Sequence, residues 1–217
     1  LGWLPAAEAT EMCAATCVLG GVFTPHCAAV HPLRLVHAVA RLAVAHGVQI
    51  YEQTPVNDLS PGRLRTEHGT IRTEVVVLAT EAYTTGLPGR KRRLLPLYSL
   101  MIATDPLDDD RWAAMGLRDR QTFTDARHLV IYGQRTADGR LAFGGRGAPY
   151  HFGSRIAGRL DTDTRVRTNL EEVARELFPV LADVPFPFHW GGPLGVPRDW
   201  HSSVVFDMQT RMASAGG

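Results

Sequence analysis

HPLRLVHAVARLAVAHGVQIYEQTPVNDLSPGRLRTEHGTIRTEVVVLATEAYT, residues 31–84, decides the fold. Its first part, PLRLVHAVARLAVAH (32–46), puts Leu35, Val36, Val39 and Leu42 on one side and Arg34, His37 and Arg41 on the other, the 3.6-residue spacing of a helix. Pro32 suits the first helical turn, and Gly47 suits the left-handed position just past the last one. Val48-Gln49-Ile50-Tyr51 then reads as a short strand. RLRTE and TIRTE flank His68-Gly69, which predicts a tight hairpin with Gly69 in a conformation that disfavours side chains. Val75-Val76-Val77-Leu78-Ala79 is apolar without alternation, the pattern of a strand covered on both faces. Helix, strand, hairpin and buried strand is the layout of half an α/β nucleotide-binding domain.

From about residue 95 the pattern changes. Residues 96–104, 122–125, 128–135 and 141–144 read as strands, with Asp138-Gly139 turning the last pair. Residues 163–178 predict a helix with Val166, Leu170, Val173 and Leu177 on one face and Pro179 just beyond its end. This second region is therefore α+β, an antiparallel sheet with a helix.

Composition narrows the function classes. In 217 residues, 23 basic and 22 acidic side chains leave a formal charge of +1, interspersed, so no face is dedicated to nucleic acid. Arg90-Lys91-Arg92-Arg93, beside Pro88 and Gly89, reads as a solvated loop. There is no apolar run of membrane-spanning length. Cys13, Cys17 and Cys27 are odd in number and lack the loop spacings of zinc sites; they predict no disulfide framework, no metal and a cytoplasmic location. The chain opens Leu1-Gly2-Trp3 and stops at Gly216-Gly217, neither of which reads as a natural domain boundary.

Four segments in order resemble the D-amino-acid-oxidase-like family of FAD-dependent oxidoreductases: AAVHPLRLVHAVARLAVAHGVQIYEQTPV (28–56), EVVVLATEAYT (74–84), LLPLYSLMIATDPL (94–107) and YGQRTADGRLAFGGRG (132–147). The resemblance covers nearly the whole chain and matches the middle of such enzymes. It implies part of an FAD-binding Rossmann-like domain plus an antiparallel-sheet substrate domain, truncated at both ends. The implied divisions are 1–30, substrate-domain strand and entry segment; 31–82, partial FAD-binding domain; 83–199, substrate domain; and 200–217, a return to the FAD-binding domain. The family's Gly-x-Gly-x-x-Gly loop, whose amides and helix dipole hold the FAD pyrophosphate, has no counterpart here. Gly144-Gly145-Arg146-Gly147 is not followed by a helical pattern, and Gly216-Gly217 resembles only the opening of a second, C-terminal flavin loop. The chain as it stands is therefore expected not to retain FAD.

Carried over by resemblance, Val56 matches the position whose backbone meets the adenine, and Ala79 and Thr80 match the strand end that passes the FAD. Tyr132, Arg146 and, more weakly, Tyr98 match segments facing the flavin ring. A tyrosine there would orient an amine, and an arginine would grip a carboxylate by a bidentate pair. In the family's amino-acid oxidases an arginine follows a Trp-Gly segment. Here Trp190-Gly191-Gly192-Pro193 leads to Leu194, which favours an amine over an α-amino acid. The implied reaction is FAD-dependent oxidation of a carbon–nitrogen bond in a small-molecule amine or amino acid. The rival readings are a non-catalytic binding module, or oxidation of a 2-hydroxy acid or glycerol phosphate on the same scaffold.

Overall fold

The computed structural model describes residues 1–146 and 150–216, so Gly147 and Gly217 of the two glycine-rich stretches lie outside the described residues. Along the chain run β1 (Gly2–Pro5), α1 (Ala6–Met12), β2 (Gly20–Phe23), α2 (Pro32–Ala45), β3 (Val56–Ser60), β4 (Arg63–Thr66), β5 (Gly69–Arg72), β6 (Val76–Leu78), β7 (Leu94–Ala103), α3 (Asp109–Met115), β8 (Thr122–Thr124), β9 (Ile131–Arg135), β10 (Leu141–Gly145), α4 (Thr164–Leu177), β11 (Phe188–Pro197), β12 (Ser203–Asp207) and β13 (Met212–Gly216). They group into two compact units. The first comprises Leu1–Val30, Tyr98–Ala148 and Ala157–Gly192; the second comprises His31–Leu97, Pro149–Ile156 and Pro193–Gly217.

In the first unit a sheet of order β11-β7-β10-β9-β8 has antiparallel pairing at β7–β10, β10–β9 and β9–β8. One of its faces is packed. Tyr98, Leu100, Ile102, Ile131, Leu141 and Phe143 point into a core closed by α4, α3 and the segment that follows α4. Helix α4 begins where the Asp163 carboxylate accepts the amides of Arg165 at 2.9 Å and Val166 at 3.2 Å. It buries Val166, Leu170, Ala174 and Leu177, and it ends at Phe178, whose successor Pro179 cannot continue the ladder. Each of the larger buried side chains contributes about 1.5–3 kcal/mol of transfer free energy. A separate antiparallel pair, β1–β2, carries α1 between its strands in sequence.

In the second unit β3-β4-β5 form an antiparallel meander, and β12-β13-β6 form a sheet in which β6 runs parallel to β13. The β4–β5 hairpin pairs Thr66 with Gly69 across Glu67 and His68, and Gly69 sits at φ +145°. Helix α2 begins at Pro32 and is followed by Gly47 at φ +85°.

Two strand expectations are corrected. Val48-Gln49-Ile50-Tyr51 forms no strand, because a strand exists only where a neighbouring strand takes up its amides and carbonyls; no strand of the described residues pairs with it, and the Val48 amide donates back to the Ala43 carbonyl of α2 at 3.0 Å. The 75–79 segment forms only β6, Val76 to Leu78, and is buried on one face: Val76 and Leu78 are buried, whereas Val77 is 62% exposed. An unbroken apolar run does not by itself place protein on both sides of a strand. The stripe of α2 is likewise exposed, with Leu35, Val36, Val39 and Leu42 all more than half accessible.

Candidate functional site

The second face of the β11-β7-β10-β9-β8 sheet is where polar groups collect in the first unit. Alternation along β7 sends Tyr98, Leu100 and Ile102 into the core and turns half-buried Ser99 and Met101 the other way. Register carries this row across the sheet. Gly144 of β10 stands opposite both Met101 and Tyr132, and Tyr132 stands opposite Thr124 of β8. The next row pairs Ala103, Ala142, Gln134 and Thr122. Gly191 of β11 faces the packed side, since a Cβ there would overlap Leu100 Cδ2 and lie 2.6 Å from the Ser99 carbonyl. Trp190 therefore belongs to the open side, and it is 46% exposed.

The centre of this open face is a hydroxyl pair. Ser99 Oγ and Tyr132 Oη are hydrogen-bonded although β10 separates their strands. Gly144 makes this possible: a Cβ there would overlap Met101 Sδ and lie 2.7 Å from Tyr132 Cε2. Arg146 follows β10 directly; its amide donates to the Val130 carbonyl at 3.0 Å, adding one rung to the ladder, and its side chain is exposed.

Tyr98 is placed elsewhere. It is 3% exposed on the packed face, and its hydroxyl accepts the Ala157 amide at 3.1 Å. The substrate-facing expectation for Tyr98 is corrected on that ground, because adjacent residues of a strand point to opposite faces.

In the second unit, β6 and β13 are parallel, so their carboxyl ends lie on one side, the edge where ligands of open α/β sheets bind. Ala79 and Thr80 follow β6 there, both exposed, and Ser214, Ala215 and Gly216 close β13. These small side chains leave backbone accessible, and a Cβ at Gly216 would meet nothing within 4 Å. Thr80 Oγ1 is bonded to Thr84 Oγ1 at 2.7 Å. Val56 opens β3 beside a register shift between Val56 and Asp58, a bulge that leaves backbone polar groups unpaired by the ladder. An edge of exposed backbone and small residues fits a flat dinucleotide, as FAD requires.

The sequence carried no sign of Glu81. It sits at φ +48° directly after Thr80, its Oε1 accepts the Gly195 amide at 2.6 Å, and its Oε2 accepts the Ala82 amide. A Cβ on Gly195 would lie 2.7 Å from Ala82 N, so the end of β11 is clamped against the turn that follows β6. The partner is 114 residues away, and nothing local announces it.

Among the described residues no group of three or more His, Cys, Asp or Glu side chains is gathered for a metal, all three cysteines are free, and no helix is long and apolar enough to cross a membrane.

Comparison with known proteins follows the same lines. The family described as FAD dependent oxidoreductase matches residues 2–209. A probable oxidoreductase, OrdL, of Haemophilus influenzae is 31% identical over 185 residues, which is 81% of this chain and 40% of that protein. The gamma-glutamylputrescine oxidoreductase of Escherichia coli is 27% identical over 168 residues, 75% of this chain and 37% of that protein. The chain thus spans about two fifths of the length of the curated relatives it matches. Among solved structures, glycine oxidase from Geobacillus kaustophilus superposes with a TM-score of 0.79 at 23% identity, covering 100% of this chain and 57% of that one.

Proposed function

Because this chain belongs to the family of FAD-dependent oxidoreductases, we propose that the complete protein oxidises a carbon–nitrogen bond of a small-molecule amine or amino acid. When bound, FAD supplies the hydride acceptor for that oxidation, and the imine left on the substrate hydrolyses in water. In the second unit, the backbone at Val56 and the exposed strand end at Ala79 and Thr80 contact the cofactor. Glu81 holds that turn to Gly195 and so fixes the edge the cofactor meets. In the first unit, Tyr132 and Arg146 contact the substrate.

The observation that carries the reading is the open face of the first unit's sheet. A sheet packed on one side and carrying a hydrogen-bonded tyrosine and serine, a glutamine and a tryptophan on the other supplies position and hydrogen bonds for a small polar substrate. Relatives named for gamma-glutamylputrescine and glycine support carbon–nitrogen chemistry. Leu194, where an arginine would grip an α-carboxylate, favours an amine of the first kind. Arg146 remains as the cation for a more distant carboxylate. A cytoplasmic location is supported by the three free thiols.

The test is anaerobic reduction of the flavin in the complete protein, followed in the visible spectrum. Gamma-glutamylputrescine, glycine, L-lactate and glycerol 3-phosphate are the probes. Bleaching by an amine is expected. Bleaching by lactate or glycerol phosphate alone would transfer the protein to alcohol oxidation, and a flavin that no probe reduces would favour the binding-module reading.

A further inference from the structure

The Ser99–Tyr132 pair spans an unusual distance for two side chains of one sheet. Strands β7 and β9 are separated by β10, hence by about 9–10 Å at ordinary strand spacing. Side chains on a sheet normally stand upright and meet only nearest neighbours. Here the Tyr132 ring lies over Gly144, and the space of the missing side chain is shared by the Met101 sulfur and the edge of that ring. The ring is therefore held flat, and its hydroxyl ends on Ser99 Oγ.

Of the two hydroxyls, the phenol is the stronger acid and the better donor, so its O–H donates to Ser99 Oγ. The tyrosine oxygen keeps its proton and its lone pairs, and with that one O–H already committed it can offer any further partner only an acceptor. We propose that Ser99 is a positioning residue: by accepting the Tyr132 O–H hydrogen bond it leaves the Tyr132 oxygen as an acceptor for the N–H of the amine substrate. The inference rests on the carbon–nitrogen reading above and adds to it the polarity of the contact. Without Ser99 the phenol proton turns outward, and the oxygen presents a donor to a group that is itself a donor.

The experiment uses the complete flavoprotein with Ser99→Ala, Ser99→Thr, Tyr132→Phe and the Ser99→Ala/Tyr132→Phe double variant. Anaerobic stopped-flow with gamma-glutamylputrescine and with glycine separates the substrate Kd from the limiting rate of flavin reduction. For whichever amine the wild type oxidises, Ser99→Ala should raise Kd about five- to tenfold, the scale of one neutral hydrogen bond, and leave the limiting rate within about twofold. The double variant should bind no more weakly than Tyr132→Phe, and Ser99→Thr should retain wild-type Kd. A second readout needs no turnover. In protein labelled with 3-fluorotyrosine, the 19F resonance lost in Tyr132→Phe should move in Ser99→Ala.

An unmoved resonance overturns the inference, as does independent multiplication of the two Kd effects. A Ser99→Ala effect confined to flavin content and rate overturns it too, for that is what a merely structural residue would give. Flavin reduction by L-lactate alone overturns the carbon–nitrogen reading instead. Reduction by an amine with independent variant effects leaves that reading standing and removes this one.

Discussion

Gly191 and Gly192 are adjacent in β11, and the structure assigns them opposite responses to a single methyl group. Neither has positive φ, so alanine brings no backbone strain at either position. At Gly191 the methyl would overlap Leu100 Cδ2 and stand 2.6 Å from the Ser99 carbonyl oxygen and 3.0 Å from that of Asp161. The leucine can rotate, but the two carbonyls belong to the β7 ladder and to the loop before α4, and ordinary contact needs about 3.5 Å. Strand β11 would have to lift away from β7, an overpacking cost of about 1–3 kcal/mol. At Gly192 a methyl meets nothing within 4 Å. There alanine should stabilise by about 0.4–1 kcal/mol, through the unfolded chain alone. The unfolded-chain gain is common to both alanines, so the two variants should differ by the overpacking cost, about 1–3 kcal/mol. At about 2–4 °C per kcal/mol for a chain of this size, that is a gap of roughly 2–12 °C in thermal midpoint. Circular dichroism melts of Gly191→Ala and Gly192→Ala, recorded side by side, measure it. Coincident midpoints would refute the reasoning, and with it the placement of β11 against β7 that puts Trp190 on the open face.

Gly69→Val should destabilise by about 1 kcal/mol or more and so lower the denaturation midpoint, because φ +145° at Gly69 is hostile to a β-branched residue; an unchanged midpoint would mean the hairpin turns elsewhere. Asp163→Ala should cost about 1 kcal/mol and fray the first turn of α4, read by amide exchange at Arg165 and Val166, both of which the carboxylate now accepts. The Asp207 carboxyl is held below the usual carboxylate range, first by the Thr210 hydroxyl and then by the Gln209 and Thr210 amides. A depressed folded pKa stabilises above the unfolded value near about 4 and is lost as pH falls through the folded value, so Asp207→Asn should flatten the acid limb of the stability curve below pH ~4; an unchanged limb would contradict the turn. Burial pushes the Cys13 thiol up to about 11, so N-ethylmaleimide at pH ~8 should label exposed Cys17 and Cys27 quickly and Cys13 slowly; three equal rates by mass spectrometry would show Cys13 open to solvent.

What the sequence disclosed was whatever is written within one turn or one hairpin. Helix α4 was legible because Asp163, the 3–4 spacing from Val166 to Leu177 and Pro179 all point the same way. Helix α2 was legible from Pro32, its stripe and Gly47, although the same stripe implied a covering that the described residues do not provide. Helices α1 and α3 escaped because 7 residues hold too little periodicity, even though Asp108 caps α3 with its carboxylate on the Arg111 amide at 2.8 Å. The hairpin of β12 and β13 escaped as well, since Ser203–Asp207 is exposed on both faces and shows no burial pattern to read.

The site failed to show itself for a different reason, and Tyr98 against Ser99 makes the point. A strand's side-chain period is two, so one step along β7 exchanges the core for the open face. Leu-Tyr-Ser-Leu-Met-Ile-Ala, residues 97–103, contains the information needed: Tyr98, Leu100 and Ile102 form the bulkier row, and bulk belongs inside. Read by alternation rather than by residue type, the segment would have given Ser99 to the site and Tyr98 to the core. No such reading reaches Glu81 and Gly195, or Ser99 and Tyr132, whose partnerships cross 114 and 33 residues and depend on strands not adjacent in sequence. What marks those partnerships in the chain is a small residue where a side chain would collide: Gly195 over Ala82, Gly144 beneath Tyr132. A glycine inside a strand weakens it unless something passes close by. In this chain Gly144 and Gly195 are thus the local trace of the long-range contacts that build the candidate site.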